Sequence, residues 1–204
     1  MKISYEYSHL NGKEWLHYHY PSLWDEICES IGSVDANSCR TKVSKEKTMR
    51  GELKYSPKAM NKELGASFES KGWSEQRFNY YVTGNEEVTR EIVSLEYEEQ
   101  KHLIEAAGED PIHSYHQTDY VKKGVAVEIQ FGKYAFIEFD LFVKHLGFYL
   151  RNEIDLGIEI VPSKSLLGNM SSGPGYYERT LTHILRQGRA SPSVPFILLG
   201  IEPD

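Results

Sequence analysis

Between Val125 and Phe131 the chain alternates strictly. Val125, Val127, Ile129 and Phe131 fall on one side, and Ala126, Glu128 and Gln130 fall on the other. A period of two is the mark of a strand with one apolar face. Just before it, Lys122-Lys123-Gly124 supplies a short turn back to Tyr120 and Asp119, which predicts a tight hairpin. Glu128 and Gln130 are then neighbours roughly 6.5–7 Å apart on the polar side. Asp119 can lie opposite them across the hairpin. Residues 154–161 alternate again, and Pro195–Ile201 is a wholly apolar run that reads as a strand buried in a sheet.

Other stretches carry helical spacing. Pro21 at a start, apolar residues at 23, 24, 27, 28 and 31, and Gly32 at the end describe an amphipathic helix. Ser56-Pro57 is a cap and first-turn pair, and Gly72 a stop, for a helix over 57–71. Ser94 is expected to cap a helix ending near Ala107. Over 136–151 the apolar positions 139, 142, 143, 146, 149 and 150 form a broad stripe. Such a stripe reads first as core and second as a surface for another copy of the chain. Ser171–Gly175 reads as a loop, and Tyr176–Gln187 as a helix stopped by Gly188. His17 and His19 alternate with Tyr18 and Tyr20 in a run read as a surface strand. From Ser94 the order is helix, strand, strand, helix, strand, helix, strand. That order predicts an α/β fold, a mixed central β-sheet flanked by helices, in a single domain spanning 1–204.

Composition narrows the class. No apolar run approaches the roughly 18 residues that a membrane helix needs, and MKISYEYSHLNG lacks the apolar core of a secretion signal. A cytoplasmic protein is the expectation. Cys28 and Cys39 are too few for a disulfide framework and lack partners for a zinc site, so two reduced thiols are expected. The net charge of −7 argues against a polyanionic partner only if it is spread evenly, and it is not. Residues 40–62 carry eight Lys and Arg against Glu46 and Glu52, whereas residues 86–110 carry nine acids against Arg90 and Lys101. Phosphate binding depends on local charge, so the first segment is a candidate arm and the second a solvated face.

Two acids and an amide beside an apolar core suit one chemistry in particular. Phosphodiester hydrolysis uses a divalent cation to polarise the phosphate, together with groups that hold and deprotonate a water. Mg²⁺ prefers carboxylate and carbonyl oxygens, which Asp119, Glu128 and the Ile129 carbonyl could supply, while Gln130 could orient the water. Acids on an exposed hairpin face are also ordinary surface chemistry, and the pattern alone does not separate the two readings. A rival site, His113, His116 and Asp119 at three-residue steps, could hold a transition metal on a helix. Gly108 and Pro111 precede it and a strand follows, which spoils that geometry.

The spacing Asp-x8-Glu-x-Gln resembles the core motif of the PD-(D/E)xK nucleases, with Gln where Lys is usual. EIQFGKY followed by an apolar helix, and SSGPGYYE further on, closely resemble type II restriction endonucleases of the BglII/BstYI kind, nearest to the BstYI type. The likeness extends through YSHLNG (7–12), CRTKVSKEKT (39–48), NYYVT (79–83), EEQKHLIEAAG (98–108), DLFVKH (140–145) and RQGR (186–189).

The resemblance implies a restriction-endonuclease-like fold and a homodimer that cuts double-stranded DNA at a GATC-centred palindrome. The expected site is purine-GATC-pyrimidine, with 5′-phosphate GATC overhangs. It also implies Mg²⁺ as cofactor, with Mn²⁺ as a substitute, and a partner DNA methyltransferase of the same specificity. It places catalysis at Asp119, Glu128 and Gln130 within a core over 94–204. Asp119 becomes the main metal ligand with the Ile129 carbonyl, and Glu128 either a ligand or the holder of its water shell. Gln in place of Lys removes a positive charge and leaves more of the stabilisation to the metal. Lys133, Ser171 and Ser172 become base or phosphate contacts, Lys42 and Lys45 part of a DNA-facing segment over 40–62, and Glu75 or Gln76 a fourth polar contact. Two further readings compete: a DNA-binding protein of this fold without catalysis, and a repair or junction nuclease.

Overall fold

A computed structural model describes residues 1–44, 47, 50–132, 135–171 and 173–204, with Ala135 described by its backbone alone. Along the chain run β1 (Lys2–His9), α1 (Gly12–His19), α2 (Pro21–Gly32), β2 (Lys42–Val43), β3 (Leu53–Lys54), α3 (Pro57–Ser70) and β4 (Ser74–Val82). There follow α4 (Glu86–Ile92), α5 (Tyr97–Ala106), β5 (Ile112–Lys122), β6 (Val125–Ile129) and α6 (Ala135–Phe139). A π-turn over Asp140–Lys144 leads into α7 (His145–Leu150), and β7 (Leu156–Pro162), α8 (Lys164–Leu167), α9 (Tyr177–Gln187) and β8 (Phe196–Glu202) complete the order. Two compact units result, Met1–Glu75 with Thr118–Asp204, and Gln76–Gln117. No helix of the described residues is long and apolar enough to cross a membrane.

The six-stranded sheet has the order β1-β8-β7-β6-β5-β4. It is mixed: β1 with β8 and β5 with β6 are antiparallel, while β6-β7 and β7-β8 are parallel. The expected hairpin is present, with Tyr120 opposite Val127 and Lys122 opposite Val125. Lys123 and Gly124 both have positive φ, 51° and 76°, as a two-residue turn matched to strand twist requires. The apolar strand near the C-terminus is β8, fully flanked by β1 and β7.

The period of two sorts the sheet into two faces. Val125, Val127 and Ile129 join Leu156, Ile158, Ile160, Ile197, Leu199 and Ile201 in the main core, closed by Leu23, Ile27 and Ile31 of α2 and by Met60, Leu64 and Phe68 of α3. Gly65 lets α3 approach β5 closely, since a Cβ there would sit 2.5 Å from the Tyr120 hydroxyl. On the other face Ile137, Leu141, Val161, Tyr177, Ile184, Phe196 and Leu198 form a second core. The parallel pairing of β6 with β7 explains the covering: such a pair needs a crossover, and the chain from α6 to α7 provides it. The face of β6 carrying Ala126 and Glu128 is therefore roofed over, where alternation alone reads it as a polar surface.

The smaller unit holds α4 and α5 around Val88, Ile92 and Ile104. Tyr81 stacks on Tyr97 with ring centroids 4.6 Å apart, and the Tyr81 amide donates to Gln100 Oε1 at 2.8 Å. The acidic run lies on these helices with Glu86 and Glu87 exposed, as a solvated face should be.

Two sequence expectations are corrected. His17 and His19 lie in helix α1, not in a strand. The buried pair Gly12 and Leu16, and the ring contact of Trp15 with His19 at 4.7 Å, follow helical i,i+4 spacing that outweighs a four-residue alternation. The helix expected from Ser94 begins at Tyr97, capped by Glu96 in a reciprocal capping box with Glu99. Ser94 instead falls in the turn after α4, a helix that the sequence reading did not resolve. The helix over 57–71 appears as α3, with the Ser56 hydroxyl accepting from the Ala59 amide.

Candidate active site

Three neighbouring strands bring acids into a row on the roofed face. Asp119 sits one step beyond the Tyr120–Val127 pair and so faces Glu128, and two contacts tie them. The Asp119 amide donates to Glu128 Oε1 at 3.2 Å, and the Ile129 amide donates to Asp119 Oδ2 at 3.4 Å. On β7, Glu159 pairs in register with Glu128. Asp119 is exposed, Glu128 is only 2% exposed, and Glu159 is fully buried. The row thus runs from solvent into the core.

Gln130, just past the end of β6, folds its side chain back. Its Oε1 accepts from the Gly132 amide at 3.1 Å, and its Nε2 donates to Asp140 Oδ2 at 2.9 Å. Gly132 leaves room for this, because a Cβ would stand 2.8 Å from Gln130 Oε1.

The roofing helix contributes charges that the sequence reading did not single out. Lys144 Nζ lies 2.8 Å from Glu128 Oε1 and 2.7 Å from Asp140 Oδ1, with all three side chains almost wholly buried. Their sequence signal was an Asp and a Lys four apart in an otherwise apolar helix, the DLFVKH segment. His145 rests against the backbone of Gly157, where a Cβ would be 2.8 Å from the imidazole Cγ. Its Nε2 stands 3.6 Å from Glu159 Oε2, and among the described residues neither side chain has a hydrogen-bond partner. Glu159 is the polar interruption in the apolar strand LGIEIVP, and that interruption was its signal.

Burial sets the protonation of this cluster. Desolvation, then the charge of Asp119, pushes the Glu128 carboxyl up to about 8 despite Lys144. Desolvation raises Glu159 well above the ordinary carboxyl value and lowers His145 to about 3. Burial thus disfavours the charged form of both members of that inner pair. For Glu128 the folded value exceeds the ordinary 4.5, so its stabilising contribution is complete below 4.5 and is lost as pH rises through about 8. Melting temperatures of the metal-free protein between pH 4.5 and 8 are expected to decline less steeply in Glu128→Gln than in the unmodified chain. Parallel curves would show that Glu128 titrates as an ordinary carboxyl.

The remaining candidates map as follows. Lys42 is exposed on the short β2–β3 hairpin, opposite Lys54. Ser171 is exposed, and its amide donates to the Tyr55 carbonyl at 3.1 Å, while the Tyr55 amide donates to Asn169 at 2.9 Å. The basic segment and the serine loop are therefore stitched together, which the sequence did not reveal. Lys45, Lys133 and Ser172 lie outside the described residues. Glu75 is exposed on β4. The histidine alternative loses its geometry: in β5, residues three apart point to opposite faces. Accordingly His113 meets Asn79, and His116 packs against the Phe78 and Tyr80 rings. Among the described residues no group of three or more His, Cys, Asp or Glu side chains is arranged to hold a metal ion.

Solved structures share this architecture. The restriction endonuclease BglII complexed with a DNA 16-mer matches with a TM-score of 0.66 at 20% identity, over 100% of this chain and 79% of that one. Free BglII matches with a TM-score of 0.56 at 18% identity, over 100% and 81%. The fold is that of a restriction endonuclease. A family model described as restriction endonuclease BglII/BglIII matches residues 5–201, so the chain belongs to this family of type II site-specific nucleases. No curated protein sequence matches the chain.

Proposed function

We propose that this enzyme acts as a homodimer on duplex DNA at a GATC-centred palindrome, purine-GATC-pyrimidine as in the BstYI type, with Mg²⁺ as cofactor. Cleavage before the GATC leaves 5′-phosphate overhangs, and a methyltransferase of the same specificity would protect the cell's own DNA. The observation that carries this reading is the pairing of solvent-open Asp119 with Glu128, to which Gln130 is linked through Asp140 and Lys144.

The donors fit a hard cation. Asp119 and Glu128 offer carboxylate oxygens and Ile129 a carbonyl, and a cation that keeps several of its waters needs only one or two protein carboxylates. The acids also crowd each other, since Asp119 is one cause of the raised Glu128 value, and this favours a countercharge between them. When bound, the cation would polarise the scissile phosphate and lower the pKa of a water. Gln130, held by Gly132 and Asp140, would orient that water without taking its proton. Asp119, exposed to solvent, would fix the metal's place.

Two surface features support the dimer and the DNA arm. On the roofing helix Phe139 is 41%, Val143 43% and Leu150 71% exposed, so the stripe expected to be core largely faces outward. Helix positions 137, 140, 141, 144, 145 and 148 are the buried ones. An apolar stripe of this kind suits an isologous contact with a second copy. Val143→Glu is expected to give a monomer by light scattering and to cost most double-strand cleavage; an intact dimer would move the interface elsewhere. The stitched β2–β3 hairpin and serine loop place Lys42 and Ser171 on one support, fit for phosphate and base contacts respectively.

The test is a digest of a fully sequenced plasmid with Mg²⁺ and with EDTA, followed by end-sequencing. Discrete Mg²⁺-dependent fragments beginning with GATC are expected, and the flanking base reports the degeneracy. An intact plasmid that is nonetheless bound in a gel shift would favour the catalytically silent reading.

A further inference from the structure

Beneath the candidate site four polar side chains form a continuous chain, Gln130–Asp140–Lys144–Glu128. Asp140 divides its two oxygens, Oδ2 accepting from Gln130 Nε2 at 2.9 Å and Oδ1 from Lys144 Nζ at 2.7 Å. Lys144 in turn divides its ammonium between Asp140 and Glu128 Oε1 at 2.8 Å. Two of the four come from the end of one strand, and the other two from a single helical segment, Asp140–Lys144. That segment is wound as a π-turn, a local widening found frequently at functional sites.

Stability alone is a poor reason for this arrangement. A buried ion pair repays its desolvation only with excellent geometry, and well-packed apolar residues of similar volume often do as well or better. The same helix buries Ile137, Leu141 and Phe148 nearby, so apolar side chains fit this face. What the charged pair adds is direction. The Gln130 amide is fixed at both ends, its oxygen by the Gly132 amide and its nitrogen by Asp140, which defines which way it points. The Glu128 carboxylate is fixed by Lys144 and by the Asp119 amide.

We propose that Asp140 and Lys144 are positioning residues for strand cleavage, Lys144 setting the Glu128 carboxylate and Asp140 setting the Gln130 amide. The two strand-borne groups are thus held from the helix. The helix also brings an ammonium to the site, although the strand carries Gln at the third motif position. This inference rests on the catalytic reading of Asp119, Glu128 and Gln130 given above.

The experiment compares Asp140→Asn, Lys144→Met and Lys144→Arg with the unmodified enzyme, with Asp119→Asn as the inactive reference. Removing a group that orients a functional residue typically lowers activity about 10–100-fold. That loss is expected in kcat, with KM for DNA held within about threefold, and Lys144→Arg is expected to recover part of it. In a Gln130→Ala background, Asp140→Asn is expected to cost little more, because groups acting in series are not additive.

A readout independent of cleavage is the ¹⁵N side-chain amide resonance of Gln130 in metal-free protein. It is expected to move toward its solvent position in Asp140→Asn. Where a single variant does not fold, Asp140→Leu with Lys144→Met removes both charges together and is read in the same way. Full-speed kcat in folded variants, additive losses with Gln130→Ala, or an unmoved Gln130 resonance would each overturn the proposal. If the unmodified enzyme leaves DNA uncut, the proposed function falls first. If it cuts and Asp119→Asn does not, full activity in Lys144→Met overturns only the positioning role.

Discussion

Asp119→Asn is expected to lower kcat for DNA cleavage by at least about 10³-fold, roughly 4 kcal/mol of transition-state stabilisation. Asp119 is the exposed member of the acid row, and among the described residues its carboxylate is tethered only by a long contact from the Ile129 amide. It is thus free to engage a cation. The asparagine keeps the shape and can still accept that amide, so the fold should be undisturbed. DNA binding is expected to hold or improve slightly, because one negative charge beside the phosphates is gone. Plasmid cleavage in Mg²⁺ and fluorescence anisotropy on the same duplex measure the two effects. Turnover equal to that of the unmodified enzyme would remove Asp119 from the site and with it the metal assignment.

Phe148→Ala is expected to cost about 3–5 kcal/mol of stability, the range for emptying a fully buried aromatic position. For a chain of this size that corresponds to a fall in Tm of roughly 6–20 °C. Phe148 is completely buried on α7, three residues from His145 and four from Lys144, on the side of the helix that faces the sheet. The cavity would loosen the element that carries the inner charges, so cleavage should suffer at temperatures well below the melt. Leu150, two residues on but 71% exposed, makes the contrast. Leu150→Ala should leave the Tm of the separated chain within about 0.5 kcal/mol equivalent. Equal effects from the two substitutions, followed by calorimetry, would mean that the buried face of this helix has been misassigned.

The sequence reaches its limit at this same helix. From 136 to 151 it is apolar on nearly every side, so spacing finds helical positions without saying which of them face the sheet. The stripe through 139, 142, 143, 146, 149 and 150 reads first as core, yet the structure exposes 139, 143 and 150 and buries 137, 141, 145 and 148 together with the charged 140 and 144. A helix pattern encodes period, and orientation is fixed only when a sheet is present to pack against. Lys144 and Asp140 show in the sequence only as a Lys and an Asp four apart in an apolar helix, which does not mark them as site residues. Their pairing with Glu128 and Gln130 joins residues distant along the chain, and no local rule reports such a contact.

What the sequence determined by itself was local and periodic. The alternation over 125–131, the two-residue turn at Lys123-Gly124, the Ser56 cap and the order of elements from residue 94 onward follow from side-chain period and backbone preference. Those rules let Asp119 lie across the hairpin from Glu128 and Gln130 with no knowledge of the rest of the fold, and the strand pairing sets it opposite Glu128. Only the tertiary structure decided what covers that pair. Parallel pairing of β6 with β7 forces a crossover helix onto the acid-bearing face, and an apparent surface becomes a buried row of carboxyls with a lysine set among them. Alternation gives a strand two faces, but long-range packing decides which of them meets water.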